Sequence, residues 1–288
     1  MSRRIVTSLL TILVAVAVVT GATTAFFSDT ETSKGNIFAA GELDLKIDNT
    51  SYGFDWNDPT KKNPAGEWGL NQTNSWSFGD LNNCGPKNNQ PCLFFNFADL
   101  KPGDYGEDTI SLHVQNDAWA CMQMTLSEKP ENDVLNPEKA AGDTLDNGKQ
   151  DGELQNYLNF VFWKDDGDNV YESDEGEPLF QGPASKLDGQ WRRLADSTVG
   201  GGSLLAQSDP KMASAYIGKF WCFGDIKLNP VSNNGNNPPT VATTGFTCNG
   251  AGNHNIAQTD GIKVDVAFQA IQARHNAKFT CESLNTEQ

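Results

Sequence analysis

Three stretches of the chain alternate apolar and polar residues with a period of two, the pattern of strands buried on one face. In Glu42 to Asp48, Leu43, Leu45 and Ile47 share one side, while Glu42, Asp44, Lys46 and Asp48 share the other. Thr109 to Gln115 repeats this, with Ile110, Leu112 and Val114 inward and Ser111, His113 and Gln115 outward. Ile262, Val264, Val266, Phe268 and Ala270 form the clearest run. Trp119 to Leu126 (WACMQMTL) reads as a strand that returns after Asn116-Asp117, so 109–126 predicts a hairpin. Asn159 to Trp163 is a further strand, and Tyr216 to Leu228 is a strong one broken at Gly224, where a bulge is expected. No stretch carries a long 3.6-residue period; Pro137 to Ala141 permits one short helix. The pattern predicts an all-β, two-sheet sandwich.

Between these strands lie two expected insertions. Residues 49–91 are rich in Asn, Gly and Pro, with Tyr52, Phe54, Trp56, Trp68, Trp76 and Phe78 spaced among them; the rings are read as pins holding a long loop to the sandwich. Asn49-Thr50-Ser51 and Asn71-Gln72-Thr73 match the N-glycosylation pattern. Residues 127–157 are more charged and hold the short helix. Leu100-Lys101-Pro102-Gly103-Asp104 has the Pro-Gly order of a type II turn.

The N-terminus has a different character. Arg3 and Arg4 precede an apolar run from Ile5 to Val19, and small residues follow in Gly21 to Ala25. That is a signal peptide with cleavage expected between Ala25 and Phe26, the rival reading being an uncleaved membrane anchor. The organisation is then a leader over 1–25, a polar arm over 26–41 and a sandwich over 42–288. Phe26 and Phe27 would stand at the end of a freed arm and need a groove to bury them. The net charge of −16 becomes −18 when Arg3 and Arg4 leave with the leader. Such a surface repels nucleic acid, and membrane contact is expected only through the leader.

Six cysteines follow the leader: Cys84, Cys92, Cys121, Cys222, Cys248 and Cys281. An even number without CxxC spacing argues for disulfides in an oxidising, extracellular or cell-surface setting. A local Cys84–Cys92 bridge around Gly85-Pro86 is expected, with the other four left open. The loop from Asp165 to Glu177 gathers Asp166, Asp168, Asn169, Glu172, Asp174 and Glu175, hard oxygen ligands of the kind Ca²⁺ takes, although the spacing departs from an EF-hand. Calcium is thus the one candidate cofactor, against the alternative of a solvated acidic loop. His113, His254 and His275 match no zinc motif and are read as surface residues; no nucleophile motif is present, and no catalytic residue is assigned.

The leader ending Thr-Thr-Ala, the segment FFSDTETSKGNIFAAGELDLKI and the later DLKPGDYGEDTISLHVQND together resemble the TasA/camelysin family of exported fibre proteins. The aromatic-x-D start of that family's mature chains corresponds to Phe27-Ser28-Asp29, and its T-F-A-x-G-x-L-D-L-like stretch to Asn36 to Leu45. The resemblance implies a jelly-roll subunit, released by a SipW-type signal peptidase, that polymerises with copies of itself into matrix fibres or thin pili. The donated strand would include Phe26, Phe27, Ile37 and Phe38. Camelysins are described as metalloproteases, an activity for which this chain has no motif. The other class of function weighed is a monomeric cell-surface adhesin or carbohydrate-binding module, stabilised by calcium.

Overall fold

A computed structural model describes residues 28–32, 44–53, 68–78, 92–95, 97, 100–144, 150–198, 202–209, 211–233, 235 and 237–286, the first of these segments and residues 72, 73 and 253 as backbone. The strands are β1 (Ser28–Thr32), β2 (Leu45–Gly53), β3 (Gly69–Trp76), β4 (Tyr105–Val114), β5 (Ala118–Glu128), β6 (Leu158–Asp165), β7 (Phe180–Pro183), β8 (Trp191–Ala195), β9 (Ala215–Phe223), β10 (Asp225–Leu228), β11 (Phe246–Asn249) and β12 (Lys263–Gln272). Two short helices, α1 (Asn136–Ala141) and α2 (Ala184–Leu187), lie in the connections.

The strands form two main sheets, ordered β1-β12-β5-β8 and β3-β2-β4-β9-β6-β7, with β10-β11 as a separate hairpin. Every pairing between named strands is antiparallel. Eight strands taken in chain order fall into the spatial orders 1-12-5-8 and 4-9-6-7. That is the winding of a jelly roll, with β2 and β3 added beyond β4. The predicted all-β sandwich is therefore the fold of the chain.

The core lies between the sheets. Leu45, Ile47, Ile110, Leu112, Phe160, Phe162, Ile217 and Trp221 come from the larger sheet, and Ala120, Met122, Met124, Leu194, Val266, Phe268 and Ala270 from the smaller. The larger sheet is also covered on its outer face. There Val161, Trp163, Phe220 and Cys222 meet Tyr171 and Phe246, which arrive from the acidic loop and the β10–β11 hairpin. Burial on both faces explains why β9 reads as a continuous apolar run instead of alternating. Trp163 needs Gly218 beneath it: a Cβ there would sit 2.1 Å from the indole.

Several expectations are corrected. Residues 109–126 do not form a hairpin: β4 pairs with β2 and β9, while β5 pairs with β12 and β8, so the turn at 115–117 crosses from one sheet to the other. Alternation fixes which face of a strand is buried, but not which strand lies beside it. The long loop begins later than residue 49, because β2 runs on to Gly53 and β3 pairs back onto it. Both sequons are thereby placed in strands. Asn49 is 1% exposed and Asn71 4% exposed, so neither can carry a glycan in the folded chain. At Gly224 (φ +143°) the chain passes from β9 into the separate β10–β11 sheet, with no room for a side chain against the Asn249 carbonyl. The Pro102-Gly103 turn is as predicted: Gly103 has φ +99° and the Asp104 amide donates to the Lys101 carbonyl at 2.9 Å. The aromatic pins are also seen, Trp68 donating to the Pro239 carbonyl at 3.1 Å and Trp76 packing edge-on to Phe94.

Lys219 and Asp108 form an ion pair buried in the sandwich. Lys219 Nζ lies 2.8 Å from Asp108 and 3.8 Å from the centre of the Phe95 ring, and both charged side chains are almost fully buried. Asn49 donates to the same carboxylate at 3.3 Å. Removing one partner leaves a charge in the core without its counter-ion. Lys219→Met is therefore expected to cost about 3 to 5 kcal/mol in urea unfolding, with Lys219→Met/Asp108→Leu recovering most of that loss.

Candidate assembly edge and acidic clusters

Among the described residues, the smaller sheet ends at β1, which pairs with β12. Ser28 faces Ile271, Asp29 faces Ala270, Thr30 faces Gln269, Glu31 faces Phe268 and Thr32 faces Ala267. Three of five residues in β1 are Ser or Thr, and the β-branched threonines suit an extended backbone. The polar arm thus contributes an edge strand to the sandwich. The expected cleavage pair Ala25 and Phe26, and the arm residues Phe27, Ile37 and Phe38, lie outside the described residues.

β12 itself is held firmly. It pairs with β5 along its whole length, and Val266, Phe268 and Ala270 are buried in the core. Past its end, the Ala273 amide donates to the Asp117 carbonyl at 2.8 Å, and Trp119 donates to the Asn276 carbonyl at 2.8 Å. The Cys121–Cys281 disulfide then ties the C-terminal turn to β5. A second disulfide joins Cys222 in β9 to Cys248 in β11. Cys92 is also disulfide-bonded, and Cys84 lies outside the described residues.

The acidic loop does not gather as one ligand set. Asp165, Asp166 and Glu175 bring carboxylate oxygens within 4.8 Å of one another, but the other expected ligands go elsewhere. Glu175 spends its two oxygens on the Asp166 and Glu172 amides at 3.0 and 2.8 Å. Asn233 bonds Glu172 at 3.0 Å and reaches Asp174 at 3.4 Å. Asp168 caps the Val170 amide at 2.9 Å, and Asn169, with φ +67°, is buried beside it. Asp168 also lines a small polar cleft with Tyr52, Thr109 and Tyr216. These carboxylates mostly brace the loop that covers the larger sheet.

A denser group of acids lies elsewhere. Two triads of carboxylates that share Glu131, one with Glu138 and Asp143 and one with Glu153 and Asp260, lie where the 127–157 insertion meets the turn before β12. They come from well-separated positions in the chain, so no local motif marks them.

The histidines are not surface residues as expected, apart from His275. His113 is buried with Nε2 2.9 Å from Asp48 and Nδ1 3.1 Å from the Met212 carbonyl, and His254 is buried against Tyr157. Among the described residues, the converging groups of metal-binding side chains are all carboxylates, with no histidine among them.

The fold and its extended N-terminal edge define a jelly-roll sandwich completed by an arm strand. Residues 1–55 match the family described as camelysin metallo-endopeptidase, so the resemblance to the TasA/camelysin proteins holds over the N-terminal segment. The Leu100 to Asp104 turn lies beyond that match. A comparison with curated proteins found no match. A metallo-endopeptidase needs a catalytic metal with an open coordination position. His113 has both ring nitrogens engaged and no two histidines share a cluster, so the residues present do not fit a histidine-ligated centre, and no peptidase step is derived.

Burial, followed by the neighbouring carboxylates, pushes Asp165 up to about 7; Thr109 and the Asn169 amide oppose it. Burial likewise pushes Glu175 up to about 8, with the Glu172 and Asp166 amides opposing and Asp165 and Asp166 adding to the rise. Both groups bind protons more tightly folded than unfolded. Their contribution to stability is complete below the ordinary carboxylate range near pH 4 and is lost as pH rises through about 7 to 8. The melting midpoint in chelator is expected to fall between pH 5 and 9, and Glu175→Gln to flatten part of that slope.

Proposed function

We propose that this protein is a secreted structural subunit that polymerises into extracellular fibres by passing its N-terminal strand to the next copy. The observation that carries the reading is the pairing of Ser28–Thr32 with β12. The arm is a strand at an edge, bonded to the body on one side. The same edge in a neighbouring copy would accept it with the same register, because the acceptor surface is identical. Such head-to-tail exchange is heterologous and propagates as an open filament. Leader removal would be the switch, since an arm still joined to an apolar segment in the membrane cannot reach a neighbour.

Other features support an extracellular setting. The bonded cysteines suit an oxidising compartment, and the match to the camelysin family covers the segment that would carry the leader and the arm. Among the described residues, no helix is long and apolar enough to cross a membrane. The acidic surface keeps unassembled subunits apart until the specific edge contact forms.

Two measurements test the exchange. Deleting residues 26–37 should abolish filaments under negative stain while the remaining body still melts cooperatively; filaments that persist would sink the reading. Cysteines placed at Thr30 and Gln269, which face each other across the pair, should produce a ladder of covalent multimers in assembled material. Only monomeric, internally crosslinked chains in intact filaments would show that the arm stays on its own body.

A further inference from the structure

The carboxylate cluster ahead of β12 is built by several independent braces. The Leu135 amide donates to Glu138 Oε2 at 2.6 Å, and the Thr259 amide and hydroxyl both donate to Glu138 Oε1 at 2.8 Å. Asp260 Oδ2 accepts from the Glu153 amide and from the Leu154 amide, the latter at 3.2 Å. Asn132 donates to the Thr259 carbonyl at 2.7 Å, and the Gly152 and Gly261 amides bond to the Lys129 and Pro130 carbonyls, each at 2.9 Å. Gly152 is required by closeness: a Cβ there would stand 2.8 Å from the Pro130 carbonyl and 3.0 Å from the Asp260 carboxyl carbon. The backbone thus presses three segments together around a set of acids.

What those braces leave over points to a ligand. Glu131 is only 8% exposed, and its Oε1 receives no hydrogen bond from a protein donor; its carboxyl lies against that of Asp260. Asp143 Oδ2, Glu153 Oε2 and Asp260 Oδ1 are also buried oxygens without a donor. A buried carboxylate oxygen with nothing to bond is costly, and several converging ones are more so. Oxygens of Glu131, Glu153 and Asp260 all lie within 4.8 Å of one another, as do those of Glu131, Glu138 and Asp143. Ca²⁺ takes six to eight oxygen ligands at about 2.4 Å and tolerates irregular sets of carboxylates, so oxygens gathered this closely suit one such ion.

We infer that Glu131, Asp143, Glu153 and Asp260 form a calcium site, with Glu138 as its hydrogen-bonded anchor. Calcium would neutralise these carboxylates and fasten the 127–157 insertion to the turn that leads into β12. The site is distinct from the 165–177 loop, where both oxygens of Glu175 accept from backbone amides.

The test is a thermal melt of the purified protein in chelator, in 2 mM CaCl₂ and in 2 mM MgCl₂. Calcium should raise the midpoint by roughly 5 to 10 °C, the scale of a ligand present well above its dissociation constant, with a smaller rise in magnesium. Glu131→Gln/Asp260→Asn should lose the calcium shift while melting in chelator no lower than the parent, because the substitution removes mutual repulsion. Asp143→Asn, at the half-buried rim, should weaken calcium binding by at least tenfold in calorimetry even if the double variant fails to fold. Asp166→Asn/Glu175→Gln should leave the shift unchanged. An unchanged midpoint in calcium, or a shift that survives Asp143→Asn but vanishes in the 165–177 variant, overturns the assignment.

Discussion

The backbone of β12 sets the terms for the rest of the molecule. A strand buried at the heart of a sandwich must pair its amides and carbonyls on both sides. On one side β5 does this along the whole of β12. On the other, the partner is five residues from the N-terminal segment, far away in sequence. The smaller sheet is complete only when that segment is in place. In the proposed assembly this dependence is the physical opening, because the requirement is for a partner strand and not for a particular copy of it.

The two strands differ sharply in how they are held. β12 contributes three side chains to the core and is locked beyond its end by the Trp119–Asn276 hydrogen bond and the Cys121–Cys281 disulfide. β1 is short, polar in sequence and bonded along one edge. Local opening free energy follows buried contacts and bonded neighbours, so the arm is the element that leaves first while the template stays fixed. A filament built this way gains its specificity from the rigid partner and its mobility from the loose one.

How much of this the sequence discloses depends on whether the signal is local. Leu45 and Ile47, Ile110 to Val114, and Val266 to Ala270 alternate because one face of each strand meets the core, and all three became strands. β7, β8 and β11 are too short and too mixed in composition to register against the loops around them. Strand pairing is nonlocal: nothing in Asn116-Asp117 distinguishes a hairpin from a crossing between sheets. The alternation of β2 stops at Asp48 because Asn49 and Ser51 are polar, yet they face the sandwich interior, where Asn49 bonds the carboxylate that pairs with Lys219. Polar residues inside a core break the alternation that betrays strands. The site residues divide along the same line. The 165–177 acids were visible as a run but are taken up by their own loop, whereas Glu131, Asp143, Glu153 and Asp260 converge only after folding.

The placement of that second cluster bears on assembly through geometry alone. Asp260 stands three residues before Lys263, where β12 begins, and Thr259 beside it anchors Glu138 of α1. Whatever fixes Asp260 therefore fixes the approach to β12, just as the disulfide at Cys281 fixes its exit. Ionised, the acids around Asp260 repel one another across this approach, and the proposed cation would offset that repulsion. In the proposed exchange, a template that accepts a strand in one register benefits from both ends being pinned. The register of β1 on β12 would then be set by the body of the subunit, and an incoming arm would have only to satisfy an edge already in position.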